Sequence, residues 1–183
     1  YTSSITGLTP GTLYYVRSYA TNSVGTSYGA QTSFTTLNTA TISATASVTS
    51  ITSSTATSGG TITSDGGATV TSRGLVWGTT TGSSTYSVTS GTGTGTFTSS
   101  LTGLSPATTY YVRSFATNSI GTSFGAETSF TTLAIAPTVS ATATATSITG
   151  STATSGGTIT SDGGATVTSR GLVWGTSSGS STY

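Results

Sequence analysis

Only seven of the 183 side chains carry charge: Arg17, Arg73, Arg113, Arg170, Asp65, Asp162 and Glu127. Lys, His, Cys and Met are absent. This inventory closes most routes to catalysis. The chain holds 35 Ser and 50 Thr, but a hydroxyl nucleophile needs an activating base, and neither His nor Lys is there to act as one. Without Cys there is no disulfide, thiol nucleophile or thiolate metal site. Without His the commonest zinc ligand is missing. Without Lys neither Schiff-base chemistry nor a Lys–Asn isopeptide cross-link is open. Asp65 and Asp162 occupy the one acidic position that occurs twice, each in a Ser-Asp-Gly-Gly run. Asp in that setting organises a tight turn, whereas calcium loops gather several acids in one short stretch. The chain is therefore expected to be no enzyme and to hold no cofactor or metal.

What remains is a set of arginines among aromatic rings. Tyr111, Arg113 and Phe115 alternate with Tyr110 and Val112, which places them on the opposite face of a strand. Such a face can stack on sugar rings, so these three form a candidate ligand face. The alternative is packing, with each Arg stem covering a neighbouring ring. Tyr19 matches Phe115 and Tyr28 matches Phe124 in the repeat described below, so a hydroxyl is dispensable at both places, which favours packing. Thr runs at 141–146 and 158–160 suggest a third role, an ice-binding surface. A long repeat does not supply the flat, short-period lattice this requires. No Asn-x-Ser/Thr sequon exists, since Val24, Ala40 and Ile120 occupy the deciding positions.

The elements that hold these residues repeat with a period of 96–97 residues. Residues 1–36 recur at 97–132 with 27 of 36 positions identical, and residues 51–86 recur at 148–183 with 33 of 36 identical. A period of this size is one small domain per repeat, not a coil of a solenoid. Low charge alone resembles a disordered composition, but 16 aromatics and alternating Thr, Val and Ile argue for folded β-structure. Strands are predicted at 42–49, 54–63, 68–77, 84–90, 95–101, 108–117 and 125–132, with turns at Ser64–Gly67 and Asn118–Gly121. Seven short strands at this spacing fit a β-sandwich. The boundaries follow: residues 1–37 as the C-terminal half of one repeat, 38–133 as a complete repeat, and 134–183 as the N-terminal half of the next. Short linkers at 37–41 and 133–138 favour end-to-end stacking.

The run Leu101-Thr102-Gly103-Leu104-Ser105-Pro106-Ala107-Thr108-Thr109-Tyr110-Tyr111-Val112-Arg113 resembles the E–F corner and F strand of fibronectin type III domains. There an LxPxxxY pattern ends in a Tyr whose hydroxyl bonds back across the corner. Pro106 and Tyr110, and Pro10 and Tyr14 in the first copy, take those places. Trp77 and Trp174, each in Ser-Arg-Gly-Leu-Val-Trp-Gly, resemble the core aromatic of strands B–C. TSDGGATVTSRGLVWGT together with TYYVRSFATNSIGTSFG is similar to tandem repeats in very large surface proteins of gliding and environmental Bacteroidetes. The resemblance implies an all-β array of fibronectin type III-like sandwiches of about seven strands each. It implies a structural and adhesive segment of an extracellular, cell-surface filament or stalk, of the gliding-motility type. Its partners would be neighbouring repeats, identical subunits and surface glycans. A net charge of +1 leaves no electrostatic footprint for nucleic acid, and no apolar run reaches the ~18 residues of a membrane span.

Tyr1 aligns with Phe97 and Tyr183 with Tyr86, so both ends fall at one place in the repeat. The expectation is a window from a longer array. A subunit whose terminal half-domain is completed by the opening half of the next is the alternative.

Overall fold

Strand β10 (Thr109–Asn118) shows how alternation becomes a sheet. Tyr110, Val112, Ser114, Ala116 and Asn118 are buried, while Tyr111, Arg113, Phe115 and Thr117 are half-buried on the other face. The structure, a computed structural model, describes residues 1–179; Ser180–Tyr183 lie outside the described residues, and with them the expected match of Tyr183 to Tyr86. Within that span the chain is all β, with no helix. It forms two compact units. One comprises residues 1–49, 57–101 and 110–130; the other comprises 50–56, 102–109 and the chain from Thr131 onward.

Residues 38–133 supply two sheets. The first has the order β5 (Thr41–Thr45), β6 (Ala56–Ser64), β9 (Gly95–Leu101). The second has the order β11 (Gly121–Phe124), β10, β7 (Ser72–Gly78), β8 (Tyr86–Thr89), with β12 (Thr128–Thr131) also paired to β10. Lettered in chain order, these are A-B-E and G-F-C-C′, the two antiparallel sheets of a fibronectin type III-like sandwich. In the first unit both sheets contribute core side chains: Ile62, Phe97 and Leu101 from one, Leu75, Trp77, Tyr110, Val112, Ala116 and Phe130 from the other. In the second unit, Leu104 donates its N–H to Ser54 O at 3.0 Å and Leu133 donates to Thr52 O at 3.0 Å, joining three loops by backbone alone.

The long pairing in the sandwich is β7 with β10, antiparallel from Tyr111↔Gly78 to Thr117↔Ser72. Two small residues bring the sheets close. Ser114, fully buried on β10, receives Thr45 from β5: its N–H donates to Thr45 Oγ1 at 2.8 Å and the two hydroxyls lie 3.1 Å apart. A Cβ on Gly60 of β6 would stand only 2.7 Å from Ser114 Cβ. The predicted strand 125–132 is shortened to β12, and residues 121–124 before it form the additional strand β11. Gly125 turns its N–H onto Ser114 O at 2.9 Å, and a side chain there would collide with the Ser114 hydroxyl. The predicted strand from Ala68 starts only at Ser72, because the turn led by Asp65 extends to Ala68, whose N–H reaches Asp65 O at 3.4 Å.

Residues 1–37 form two ribbons, β1 (Leu13–Val16) with β4 (Thr32–Thr35) and β2 (Tyr19–Thr21) with β3 (Thr26–Tyr28). In the last repeat β13 (Thr138–Val139) pairs with β14 (Ile159–Ser161), reproducing the β5–β6 pairing 97 residues earlier. Outward hydroxyls link neighbouring strands throughout: Thr21 to Thr26 at 2.7 Å, Thr117 to Thr122 at 2.7 Å, Thr61 to Thr96 at 3.1 Å and Thr138 to Thr160 at 2.8 Å.

Since the Gly60 position admits no methyl group without moving Ser114, Gly60→Ala is expected to destabilise the complete repeat by about 1–3 kcal/mol. Urea unfolding followed by Trp77 fluorescence measures this. A midpoint equal to wild type would show that the sheets are not in contact there.

Candidate functional site

The candidate face on β10 is built around Arg113. Its guanidinium lies 4.2 Å from the centroid of the Phe124 ring, which β11 presents beside it. Nη2 donates to Gly82 O at 2.7 Å and to Ser84 Oγ at 3.2 Å. Gly82 in turn donates its N–H to Glu127 Oε2 at 2.7 Å. Arg113 and Glu127 thus hold the carbonyl and the N–H of one residue, Gly82, and pin the loop between β7 and β8. Val76, directly opposite Arg113 in register, is buried. The guanidinium is engaged by this loop and ring, and its buried Nε finds no acceptor. Tyr111 and Phe115 flank it, half-buried. Its matching residue, Arg17, stands 4.6 Å from the Tyr28 centroid, with Tyr15, Tyr19 and Tyr28 exposed.

Arg73 does similar work elsewhere. Its Nη1 donates to the carbonyls of Gly93 at 3.2 Å, Thr94 at 2.7 Å and Gly95 at 3.2 Å, and its guanidinium lies 5.5 Å from the Phe97 centroid. It shapes the loop between β8 and β9, where three carbonyls converge on one cation.

Asp65 Oδ1 accepts the Gly67 N–H at 2.9 Å, and Asp162 Oδ1 accepts the Gly164 N–H at 2.9 Å. Both sit in turns. Among the described residues no three His, Cys, Asp or Glu side chains gather where a metal could bind.

The LxPxxxY residues lie at the corner. Tyr14 Oη accepts the Thr9 N–H at 2.9 Å, and its ring stacks on Phe34 at 5.9 Å. Tyr110 is 4% exposed and stacks on Phe130 at 5.8 Å. After Pro10 and Pro106 the chain turns back, their carbonyls accepting the hydroxyls of Thr12 at 3.3 Å and Thr108 at 2.9 Å. Trp77 is 6% exposed and stacks on Tyr86 at 5.9 Å. Trp174 departs from the expectation of a core aromatic: it is 70% exposed. Trp77 is covered because β10 pairs alongside it, Val112 opposite. No strand accompanies Trp174 among the described residues.

Sequence reasoning missed Asn118, taken only as a turn residue. It is buried at the end of β10, and its Nδ2 donates to Asn38 O at 2.7 Å and Asp65 O at 2.8 Å. Its Oδ1 accepts the N–H groups of Ile120 at 3.0 Å and Gly121 at 3.1 Å. One side chain therefore ties a hairpin, a turn and the entry to the repeat. Recurrence of the Asn at position 22 was the available signal.

No family model matches this chain, and no curated protein does. Among solved structures it is similar to the sensor domain of the anti-sigma factor RsgI4 of Pseudobacteroides cellulosolvens, at 18% identity and TM-score 0.41 over 55% of this chain and 100% of that one. It is similar to the chicken CNTN1 FN1–FN3 domains, at 18% identity and TM-score 0.42 over 69% of this chain and 45% of that one. It is also similar to the sixth fibronectin type III domain of human fibronectin type III domain containing protein 3, at 28% identity and TM-score 0.40 over 53% and 89%. At these scores the fold class rests on the chain's own strand order: an all-β, fibronectin type III-like sandwich.

Asn118→Ala leaves two buried carbonyls and two N–H groups short of a partner, so a loss of about 1–3 kcal/mol is expected in chemical unfolding. A loss no larger than that of an exposed Asn→Ala change would remove the clamp. The Thr9 hydrogen bond favours the phenolate and holds the Tyr14 hydroxyl below the ordinary tyrosine value. A group with a lowered folded value contributes stability above its unfolded value and loses it as pH falls through the folded one. An NMR titration of Tyr14 ring carbons should therefore show ionisation at lower pH than in the urea-unfolded chain; coincident curves would exclude the bond.

Proposed function

We propose that this chain is a load-carrying segment of a secreted, cell-surface filament or stalk built from tandem β-sandwich repeats, of the gliding-type adhesin class that its sequence resembles. Its work is mechanical: it holds an adhesive contact away from the cell and transmits tension. One observation carries this. The entry to a repeat is the same backbone staple at both places where it occurs. Asn38 donates its N–H to Gly66 O at 2.8 Å, and Ile135 donates to Gly163 O at 2.9 Å. Gly66 and Gly163 share φ of +70°, and a Cβ on either would strike the carbonyl oxygen of the residue stapled to it. Because main-chain atoms make the bond, Asn can give way to Ile, and an extra residue can enter the linker, without loss of the joint. The entry strand of each repeat is thus tied by backbone to its own Ser-Asp-Gly-Gly turn, which suits a unit loaded through its chain end.

The glycan alternative lacks a comparable observation in the complete repeat, where Arg113 spends its hydrogen bonds on its own loop.

Stretching the chain between its ends tests the proposal. The complete repeat, strands β5 to β12, should open in one step releasing on the order of 300 Å of contour. Asn118→Ala should lower the force of that step. Smooth extension without a step would mean that the repeat bears no load.

A further inference from the structure

We propose that consecutive repeats meet through a built joint, in which the Ser-Asp-Gly-Gly turn of one repeat receives the proline corner and last leucine of the repeat before it.

The chain holds this joint twice, and each copy lies inside one compact unit. At the first, the Leu37–Asn38 peptide group is held from both sides. Its carbonyl accepts the N–H of Gly11, the residue after Pro10, at 3.3 Å, and its N–H donates to Gly66 O at 2.8 Å. Gly11 belongs to one repeat and Gly66 to the next, so a single group is gripped by both. Because the peptide is planar, no free torsion separates the two grips. At the second joint the Ala107 N–H donates to Leu133 O at 3.2 Å and the Ile135 N–H to Gly163 O at 2.9 Å, with Ala134 between the grips.

Side chains cross the boundary as well, and the two glycines of the turn have separate tasks. The first, Gly66 or Gly163, closes on the carbonyl of its own entry strand, that of Asn38 or Ile135. The second faces the preceding repeat. A Cβ on Gly67 would stand 3.1 Å from Leu37 Cδ2, and one on Gly164 would collide with Ala107. The corner residue fits in two ways. Gly11 carries no Cβ, and the Asn38 amide lies over it, with Nδ2 2.8 Å from where a Cβ would be. That amide is held in place, since Asn38 Oδ1 accepts the Thr39 N–H at 2.8 Å. Ala107 meets the turn with its own methyl group, at a φ of +48° that a residue with a Cβ seldom adopts. Where the corner is Ala, Ile replaces Asn and the linker is one residue longer. Corner, linker length and first entry residue thus differ together between the two joints. This deepens the stalk reading and rests on its tandem repeats: the linker is a contact through which a change in one repeat reaches the next. The stretching experiment reads the strength within one repeat, so each result can fail alone.

Gly11→Ala in the 183-residue chain tests the joint. A methyl group at position 11 strikes the Asn38 amide, so its effect should appear in the complete repeat as well as where it is made. With urea unfolding of the complete repeat followed at the Trp77 indole resonance, the folding equilibrium constant should fall by about threefold or more. Asn38→Ala removes the amide and should cancel that loss. Backbone strain at position 11 stays in the preceding repeat and is not cancelled by Asn38→Ala, so the cycle separates the two effects. A second measurement needs no variant: the Ala107 methyl group should show a nuclear Overhauser effect to the Gly164 α-protons. An unchanged Trp77 transition in Gly11→Ala, a loss that Asn38→Ala leaves in place, or no Overhauser effect at Ala107 would each overturn the proposal.

Discussion

Strand pairing decides what every other interaction in this molecule can do. The heptapeptide that forms β7 and its unchanged copy at 169–175 differ in nothing but company. Beside β10 the segment satisfies its backbone groups through a ladder and buries Leu75 and Trp77. Elsewhere the same residues are exposed. Local propensity is equal in the two cases, so the difference measures tertiary context alone, as expected when β-preference is mostly a preference for fitting a half-buried surface. The Tyr–Phe stacks, by contrast, survive in both copies, because each needs only the ribbon that carries it.

The charged residues are used in an unusual way. With four cations and three anions in the whole chain, the arginines turn to carbonyls and rings. Arg73 gathers three carbonyls into one loop, and Arg113 holds another loop over a ring. A cation bonded to several backbone oxygens fixes a loop whose own side chains are short hydroxyls. Gly-, Ser- and Thr-rich connections can thus be ordered without hydrophobic anchors. Glu127 belongs to the same scheme: it accepts one N–H, and the Gln at the matching position 31 retains an acceptor oxygen suited to that role.

Much of the fold was legible in the sequence, and for physical reasons. Alternation over Tyr110–Ala116 assigns the two faces of β10 without ambiguity, and Ser-Asp-Gly-Gly announces its turn. The LxPxxxY run marks the corner. What stayed hidden depends on backbone partners far along the chain. Asn118 looks like a turn residue because its acceptors, the carbonyls of Asn38 and Asp65, leave no trace in residue types. The three carbonyls around Arg73 are equally silent. The break between β11 and β12 depends on a close approach of Gly125 to Ser114, a matter of space between strands. Trp174 marks the opposite limit: its local sequence is that of a core residue, and only the fold around it sets its exposure.

The hydroxyl pairs that run from strand to strand have a consequence for where such a protein can work. Bonds between neutral groups do not depend on counterions, and side chains that stay uncharged across the ordinary pH range give no linkage between folding and acidity. A sheet laced by threonine rather than by ion pairs keeps its cohesion from fresh water to brine. With few charged side chains and many hydroxyl pairs, the cohesion between strands depends little on screening by salt.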